Sequence, residues 1–490
     1  MSSRSRSQSV LAELPVLALS VFVLLLLLQT YAGRVSYPFD LEWMEGGMLA
    51  HAQRVIDGKP LYVEPSSEFI PFIYPPLYHW VLGWSGKLLG LSYSLGRTIA
   101  LLGTLAAAAA AAAAVAGERR GWLLGIGAGA LYLTGYEEVG SFYDLVRSDG
   151  LLMALLTWAL VAGRHGYART AGVLLVLAYL AKHNAAAFGL PMLLWLWRYR
   201  DRQLALRFAA WSVIPALAAT VAIQLSGDGL FLTYLLGVPA VHPFKLERFA
   251  IDTPKRLFLF LPYVNALAIG VLGYWLVRER RWEPGMVYWS ACGGLAVLLA
   301  AVMRGHHGGY INVLMPGLWA VALWGALAIG WLRQRIPHLA TIALTSLLMA
   351  GQLWEGRWAV ERWLPSDNAT QAGEDLIREL SAIDGEVFSP HAPWYLAMAG
   401  KPTTVHLIAL WDIDHRYGPL YDRVATIKAD MDAQRWSAVV LGSRNMGGED
   451  DSYGLKANYL RRSSLPVGAM KPVTGWSAWP RYVLLPRERE

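Results

Sequence analysis

The chain is dominated by a succession of apolar runs too long for ordinary core elements and too poor in charge to face water. The first, Leu14 to Tyr31, follows a tail carrying Arg4 and Arg6 and exceeds the roughly 7 to 15 residue core of a signal peptide, so it reads as a retained span. Ten more follow: Ile99 to Ala116, Gly121 to Thr134, Gly150 to Ala162, Ala171 to Ala181, Ala185 to Trp197, Leu204 to Leu225, Leu257 to Val277, Pro284 to Met303, Tyr310 to Trp331 and His338 to Trp354. In lipid the backbone must satisfy its own hydrogen bonds, which within such runs means helices. Composition agrees: 55% of residues are hydrophobic and 16% charged, against about 25% charged in soluble domains. The expected fold class is therefore an α-helical polytopic membrane protein with about 11 spans.

Topology follows from charge. The stretch Pro76 to Leu91 is apolar but short and interrupted by Gly83, Ser85, Gly86, Lys87 and Gly90. If it does not cross, every basic linker falls on the cytoplasmic side, as basic residues near span ends should. Those linkers are Glu118-Arg119-Arg120, Arg164 to Arg169, Arg198 to Arg202, Arg278 to Arg281 and Arg333 to Arg335. If it crosses, all five lie outside. Pro76 to Leu91 is therefore read as a helix in the outer leaflet. The amino terminus is then cytoplasmic and the carboxyl terminus extracytoplasmic, in a multi-pass protein of the inner membrane. The net charge of +7 reflects these linkers and gives no reason to expect a nucleic-acid partner. The run Ala106 to Ala114 suits close helix packing. The single cysteine, Cys292, excludes an intramolecular disulfide and a cysteine metal cluster.

Two domains are expected, a membrane module over 1–364 with a long first outer loop (32–91) and a tail over 365–490. Roughly one residue in four is charged in the tail and one in eight before it. Periodicity in the tail predicts helices over 372–383 and 421–434 and strands over 386–389, 437–441 and 482–485, a small extracytoplasmic α/β domain. The first loop, 136–149, 227–256 and 304–309 share its side.

These outer segments hold the chemistry. Asp40, Glu42 and Glu45 crowd the start of the first loop; a helix over 41–56 would put Glu42 and Glu45 on one face, with Asp40 as its N-cap. Tyr74 and His79 lie in an aromatic, proline-rich stretch, Phe69 to His79, that interfacial anchoring also explains. Arg147 and Asp149 precede a span, where Asp149 has a capping alternative. Lys182, with His183 beside it, interrupts two short apolar runs; an ionisable residue there is a functional candidate, with snorkelling as the simpler account. Arg304, His306 and His307 form a further polar group on the way to Asn312.

The ordered set resembles the polytopic GT-C fold glycosyltransferases that use polyprenyl-phosphate sugars, of the mannosyltransferase and aminoarabinose transferase kind. The resemblance rests on an acidic motif early in a long first outer loop, the turn Gly58-Lys59-Pro60-Leu61-Tyr62, Tyr74-Pro75-Pro76-Leu77, Arg147-Ser148-Asp149 before a span, and Lys182 between short helices. It covers roughly residues 10 to 330. Such enzymes usually carry adjacent acids, whereas Leu41 separates Asp40 from Glu42, so both stay candidates for the base. The resemblance implies inverting transfer of a sugar from a polyprenyl-phosphate donor to an extracytoplasmic lipid, glycan or protein.

Elementary chemistry agrees. An attacking hydroxyl needs a carboxylate to take its proton, and the leaving phosphate needs positive charge. The catalytic candidates are Asp40, Glu42, Glu45 and Asp149. Arg147, Lys182, His183, Tyr74, His79, Arg304, His306 and His307 are the substrate-binding set. Asp40, Glu42 and Asp149 offer hard oxygen ligands for Mg²⁺ or Mn²⁺. No phosphate-cradling Gly-Lys-Ser/Thr loop is present, so no nucleotide cofactor is expected. The competing reading is a transporter or flippase of a lipid-linked or anionic solute, which would place charge near the bilayer midplane and often show two similar halves.

Overall fold

The computed structural model describes residues 3–118, 121–278, 283–443, 446, 453–465 and 467–488, with 3–10 described by their backbone. Arg119, Arg120, Glu279, Arg280 and Arg281 of the basic linkers lie outside the described residues. Helices dominate the first three quarters: α1 (Ser3–Ala32), α2 (Glu45–Ile56), α3 (Leu77–Leu89), α4 (Tyr93–Gly117), α5 (Trp122–Leu133), α6 (Asp149–Arg164), α7 (Ala168–Ala181), α8 (Gly189–Tyr199), α9 (Arg202–Gln224), the single turn α10 (Val238–Ala240), α11 (Thr253–Phe260), α12 (Pro262–Arg278), α13 (Pro284–Gly305), α14 (Met315–Arg335) and α15 (Leu339–Glu355). Among the described residues five helical stretches are long and apolar enough to cross a membrane singly: Leu11–Ala32, Tyr93–Gly117, Arg202–Gln224, Pro284–Gly305 and Ile311–Arg335.

One expected span takes a different form. The apolar run from Leu257 to Val277 breaks at Leu261, and the segments Arg248–Phe260 and Pro262–Arg278 meet at 102°. Pro262 opens α12, where its missing N–H costs nothing but from which the preceding helix cannot continue. The alanine run does pack closely. A Cβ on Gly125 would sit 2.6 Å from the Ala112 carbonyl oxygen and one on Gly129 2.7 Å from that of Ala108, so α4 and α5 touch backbone to backbone. Helix α3 buries Tyr78, His79, Leu82, Gly83 and Gly86 while Trp84, Leu88 and Leu89 are exposed, giving it one face on the protein and another apolar face turned outward.

The connections gather in two groups. In one, Arg164 is paired with Glu118 at 2.6 Å, Arg200 donates to the Arg164 carbonyl, and Trp289 donates to Glu118. In the other, the first loop meets the tail: Val473 N–H donates to the Leu41 carbonyl and Val405 N–H to that of Ser67, the Tyr395 hydroxyl accepts from Asp40 N–H, and Thr474 Oγ1 donates to the Gly140 carbonyl.

The tail contains α16 (Ala369–Ala382), α17 (Pro393–Met398), α18 (Leu407–Ile413), α19 (Ala425–Asp432) and α20 (Leu455–Asn458). Its sheet has the order β1-β2-β4-β3, where β1 is Val387–Phe388, β2 Ala438–Leu441, β3 Tyr459–Ser464 and β4 Tyr482–Pro486. The β1–β2 pair is parallel with Val387 opposite Ala438. The other two pairs are antiparallel, with Val439 and Arg461 both opposite Leu484 and a register shift between Arg461 and Ser463. β2 is buried along its whole length, as a central strand should be.

Candidate active site

The expected helix over 41–56 starts later, at Glu45. Residues 40 to 44 instead form a turn held by side chains. Asp40 Oδ1 accepts from Gly46 N–H at 2.7 Å and from the Tyr93 hydroxyl at 3.0 Å, while Glu45 Oε2 reaches back to Leu41 N–H at 2.7 Å. The exchange is reciprocal and resembles a capping box. Asp40 thus serves α2 as a cap, and burial followed by the nearby Glu45 charge pushes its carboxyl well above the usual carboxylate range.

Glu45 is saturated. Arg97 donates to Oε1 at 3.1 Å and to Oε2 at 2.8 Å, Val146 N–H donates to Oε1 at 2.8 Å, and neither side chain of the pair is exposed. Arg97 also holds the carbonyls of Arg34, Tyr37 and Phe39. This pair ties the start of the first loop to the segment before Arg147, and it leaves Glu45 no lone pair for a substrate proton. The sequence signal for its partner was an arginine inside an apolar helix.

Glu42 is held loosely. It is 2% exposed, accepts from Met44 N–H at 3.3 Å and faces Arg147 Nη1 at 3.4 Å. Burial pushes its carboxyl up to about 7, against the opposing pull of Arg147 and with a contribution from Glu45. A tail segment covers it: Gly475 adopts φ +74°, and a Cβ there would lie 2.7 Å from Glu42 Cγ. Arg147 in turn donates to Met44 Sδ at 2.7 Å and approaches the Tyr74 hydroxyl at 3.4 Å, with the Phe142 ring 5.6 Å from its guanidinium carbon.

Asp149 opens α6. Its Oδ1 receives Lys182 Nζ at 2.5 Å and Asn312 Nδ2 at 3.0 Å, and Lys182 Nζ lies 5.6 Å from the Tyr74 ring centre. Glu42, Arg147, Tyr74, Asp149 and Lys182 thus come together as the sequence reading proposed, with Asn312 added. Asn312 carried only the signal of a polar residue between apolar runs.

Other expected members make different contacts, with His79 in electrostatic reach of Arg147 and His183 in reach of Lys182 and His306. His79 is buried and stacks on His51 at 4.7 Å within the first loop, where His51 accepts from Phe72 N–H. His183 follows Lys182 into the tight turn His183–Phe188. Arg304 pairs with Asp252 at 3.2 Å. His306 and His307 belong to a cluster of rings with His242 and His415, whose centres are 4.5 to 5.5 Å apart. Burial and the neighbouring His415 push the His307 pKa down, and burial pushes that of His242 down to about 4.

The carboxylates do not form a metal-binding set. Asp40 Oδ1 serves two protein donors, Glu42 faces Arg147 and Asp149 Oδ1 faces Lys182. Among the described residues no three His, Cys, Asp or Glu side chains are placed to hold an ion. The expected Mg²⁺ or Mn²⁺ ligands Asp40, Glu42 and Asp149 thus do not fit one ion. An apolar cleft of about 390 Å³ between α11, α12, α13 and α14, bordered by Leu257, Phe258, Trp289 and Trp324, suits hydrocarbon and brings no acid or base.

No family model matches the chain, and no curated protein matches it by sequence. Two solved structures share its fold. The crystal structure of ArnT from Cupriavidus metallidurans bound to undecaprenyl phosphate is 13% identical over 96% of this chain and 97% of that one, with a TM-score of 0.54. The apo form gives 14%, the same coverage and 0.53. The fold implied by the resemblance to GT-C transferases is thus the fold of this chain.

Proposed function

We propose that the chain is a membrane glycosyltransferase that moves a sugar from a polyprenyl-phosphate donor to an acceptor hydroxyl on the extracytoplasmic face, with inversion. The observation that carries this reading is Glu42, a buried carboxylate held among the described residues by a 3.4 Å arginine contact and a long backbone bond, beside an aspartate–lysine pair. Its pKa of about 7 suits a general base working near neutral pH. The likeness in fold to ArnT, whose crystal structure carries undecaprenyl phosphate, supports a lipid-phosphate donor.

In this mechanism Glu42 takes the proton of the acceptor hydroxyl as its oxygen attacks the anomeric carbon. The bond from that carbon to the phosphate oxygen breaks, and its electron pair stays with the lipid phosphate. Lys182 and Arg147 offset the charge that develops there. Asp149 orients a hydroxyl of the sugar or acceptor, and Tyr74 gives the ring an aromatic wall. No step passes through a metal ion.

The proposal places eleven crossings between a cytoplasmic amino terminus and an extracytoplasmic tail, with a membrane module over 1–364 and an α/β domain over 365–490. The two groups of connections support it, since the first loop and the tail touch each other while Glu118, Arg164 and Arg200 meet apart from them.

The test uses the purified full chain with a panel of undecaprenyl-phosphate sugars, following sugar release and transfer in the parent and in Glu42→Gln. Release by the parent and its loss in the variant support the reading. Movement of labelled lipid between leaflets without cleavage of any donor overturns it in favour of a transporter.

A further inference from the structure

Lys182 is asked to do two things that conflict. In the structure its ammonium sits on Asp149 Oδ1 at 2.5 Å; in the proposed reaction a lipid phosphate draws on the same charge. If Lys182 alone fixed Asp149, each donor that bound would release the carboxylate it needs. The side-chain torsions of a carboxylate are soft, and a buried charge that loses its partner is costly.

A second donor removes the conflict. Asn312, 4% exposed, donates its Nδ2 to the same oxygen at 3.0 Å. It stands in the tight turn Ile311–Leu314 that leads into α14, and Val313 N–H donates to the Tyr310 carbonyl at 3.3 Å across that turn. A short amide on a braced turn has little freedom, whereas a lysine ammonium on four methylenes has much. Both donors occupy Oδ1. Oδ2 is buried and accepts from no donor among the described residues, so it is the oxygen left for a ligand.

We propose that Asn312 is a positioning residue that keeps Asp149 aimed when Lys182 moves its charge to the lipid phosphate. This rests on the reading of Asp149 as a ligand-facing group of the transferase site. Asn312 touches neither sugar nor phosphate; it acts through the carboxylate.

The test is a double-mutant cycle on the full-length protein in detergent or nanodiscs, with an undecaprenyl-phosphate sugar that the parent cleaves. Asn312→Ala should lower kcat about tenfold, the worth of one hydrogen bond to a charged group, and leave the donor KM within about twofold. In an Asp149→Asn background the same change should cost less than about twofold, because the group it positions is gone. Thermal unfolding of each variant accompanies the rates. Asn312→Ser, a smaller change that keeps a hydroxyl donor, serves if Asn312→Ala does not fold. Equal losses in the two backgrounds overturn the positioning role and make Asn312 a packing residue. An unchanged rate in Asp149→Asn alone removes Asp149 from the site, a different failure that takes the positioning role with it.

Discussion

Two polar clusters stand on the loop side of the molecule, and they handle burial in opposite ways. Around Glu42, Arg147, Asp149 and Lys182, acids and bases alternate, so removal from water leaves each charge an opposite neighbour within 3.4 Å. Around His242, His306, His307 and His415, like groups face one another, and burial with repulsion from neighbouring rings lowers the pKa of His242, His307 and His415, down to about 4 at His242. In the first cluster an opposite charge works against the cost of burial, whereas in the second the neighbours add to it. The proposed chemistry is therefore assigned to the first cluster and a structural joint between loops and tail to the second, through the His242 contact with the Asp412 carbonyl at 2.7 Å.

The largest expected effect separates the two directly. Glu42→Gln should lower the transfer rate by about 10² to 10⁴, while His307→Ala stays within a few fold, both read as initial rates at saturating donor. A comparable loss in the two variants would erase the distinction. Glu45→Gln provides the contrast within the first cluster. It should act on folding, destabilising by about 3 to 5 kcal/mol because the buried Arg97 charge loses its partner, and thermal unfolding measures that.

A smaller effect is expected at Lys182. Lys182→Ala should weaken binding of an undecaprenyl-phosphate sugar by about tenfold with the fold retained, measured by equilibrium binding. Unchanged affinity would leave Lys182 as no more than the partner of Asp149.

The pH response sharpens the same comparison. Transfer should rise with pH through a midpoint near the Glu42 value of about 7, and Arg147→Met should move that midpoint upward by removing the charge that opposes burial. Stability carries the opposite sign for this group. Its folded pKa lies above the unfolded value, so the folded state holds the proton longer and stability falls as pH rises from about 4.5 toward 7. His242 behaves differently: its folded pKa lies below the unfolded value of about 6.5, so its stabilising share is lost as pH falls from 6.5 toward 4. Unfolding temperatures of the parent and His242→Asn at pH 7 and pH 5 should converge by about a degree or two as that share disappears.

Much of this was legible in the sequence, for uneven reasons. Span-length helices announce themselves by apolar length alone, and the clustering of Glu42 with Arg147, Asp149 and Lys182 was marked by charges at the ends of apolar runs. The start of α2 differs from the expected one because side chains, and not periodicity, set it: Asp40 accepts from Gly46 N–H and Glu45 from Leu41 N–H, and the helix begins at residue 45. Arg97 and Asn312 were missed because their partners, Glu45 and Asp149, are 52 and 163 residues away. Strand β3 was missed because five of its six residues are exposed and so carry no apolar alternation. His307 packs against a ring from the tail, His415, a contact that no local pattern foretells.

The contact between Gly475 and Glu42 also sets an order in time. The ribosome makes Glu42 early and Gly475 roughly 430 residues later, which at about 5 to 20 residues per second is a delay of roughly 20 to 90 seconds. Through that interval the segment that covers the Glu42 carboxylate does not yet exist. In a chain of this kind the acid of the first loop precedes by about 430 residues the segment that covers it.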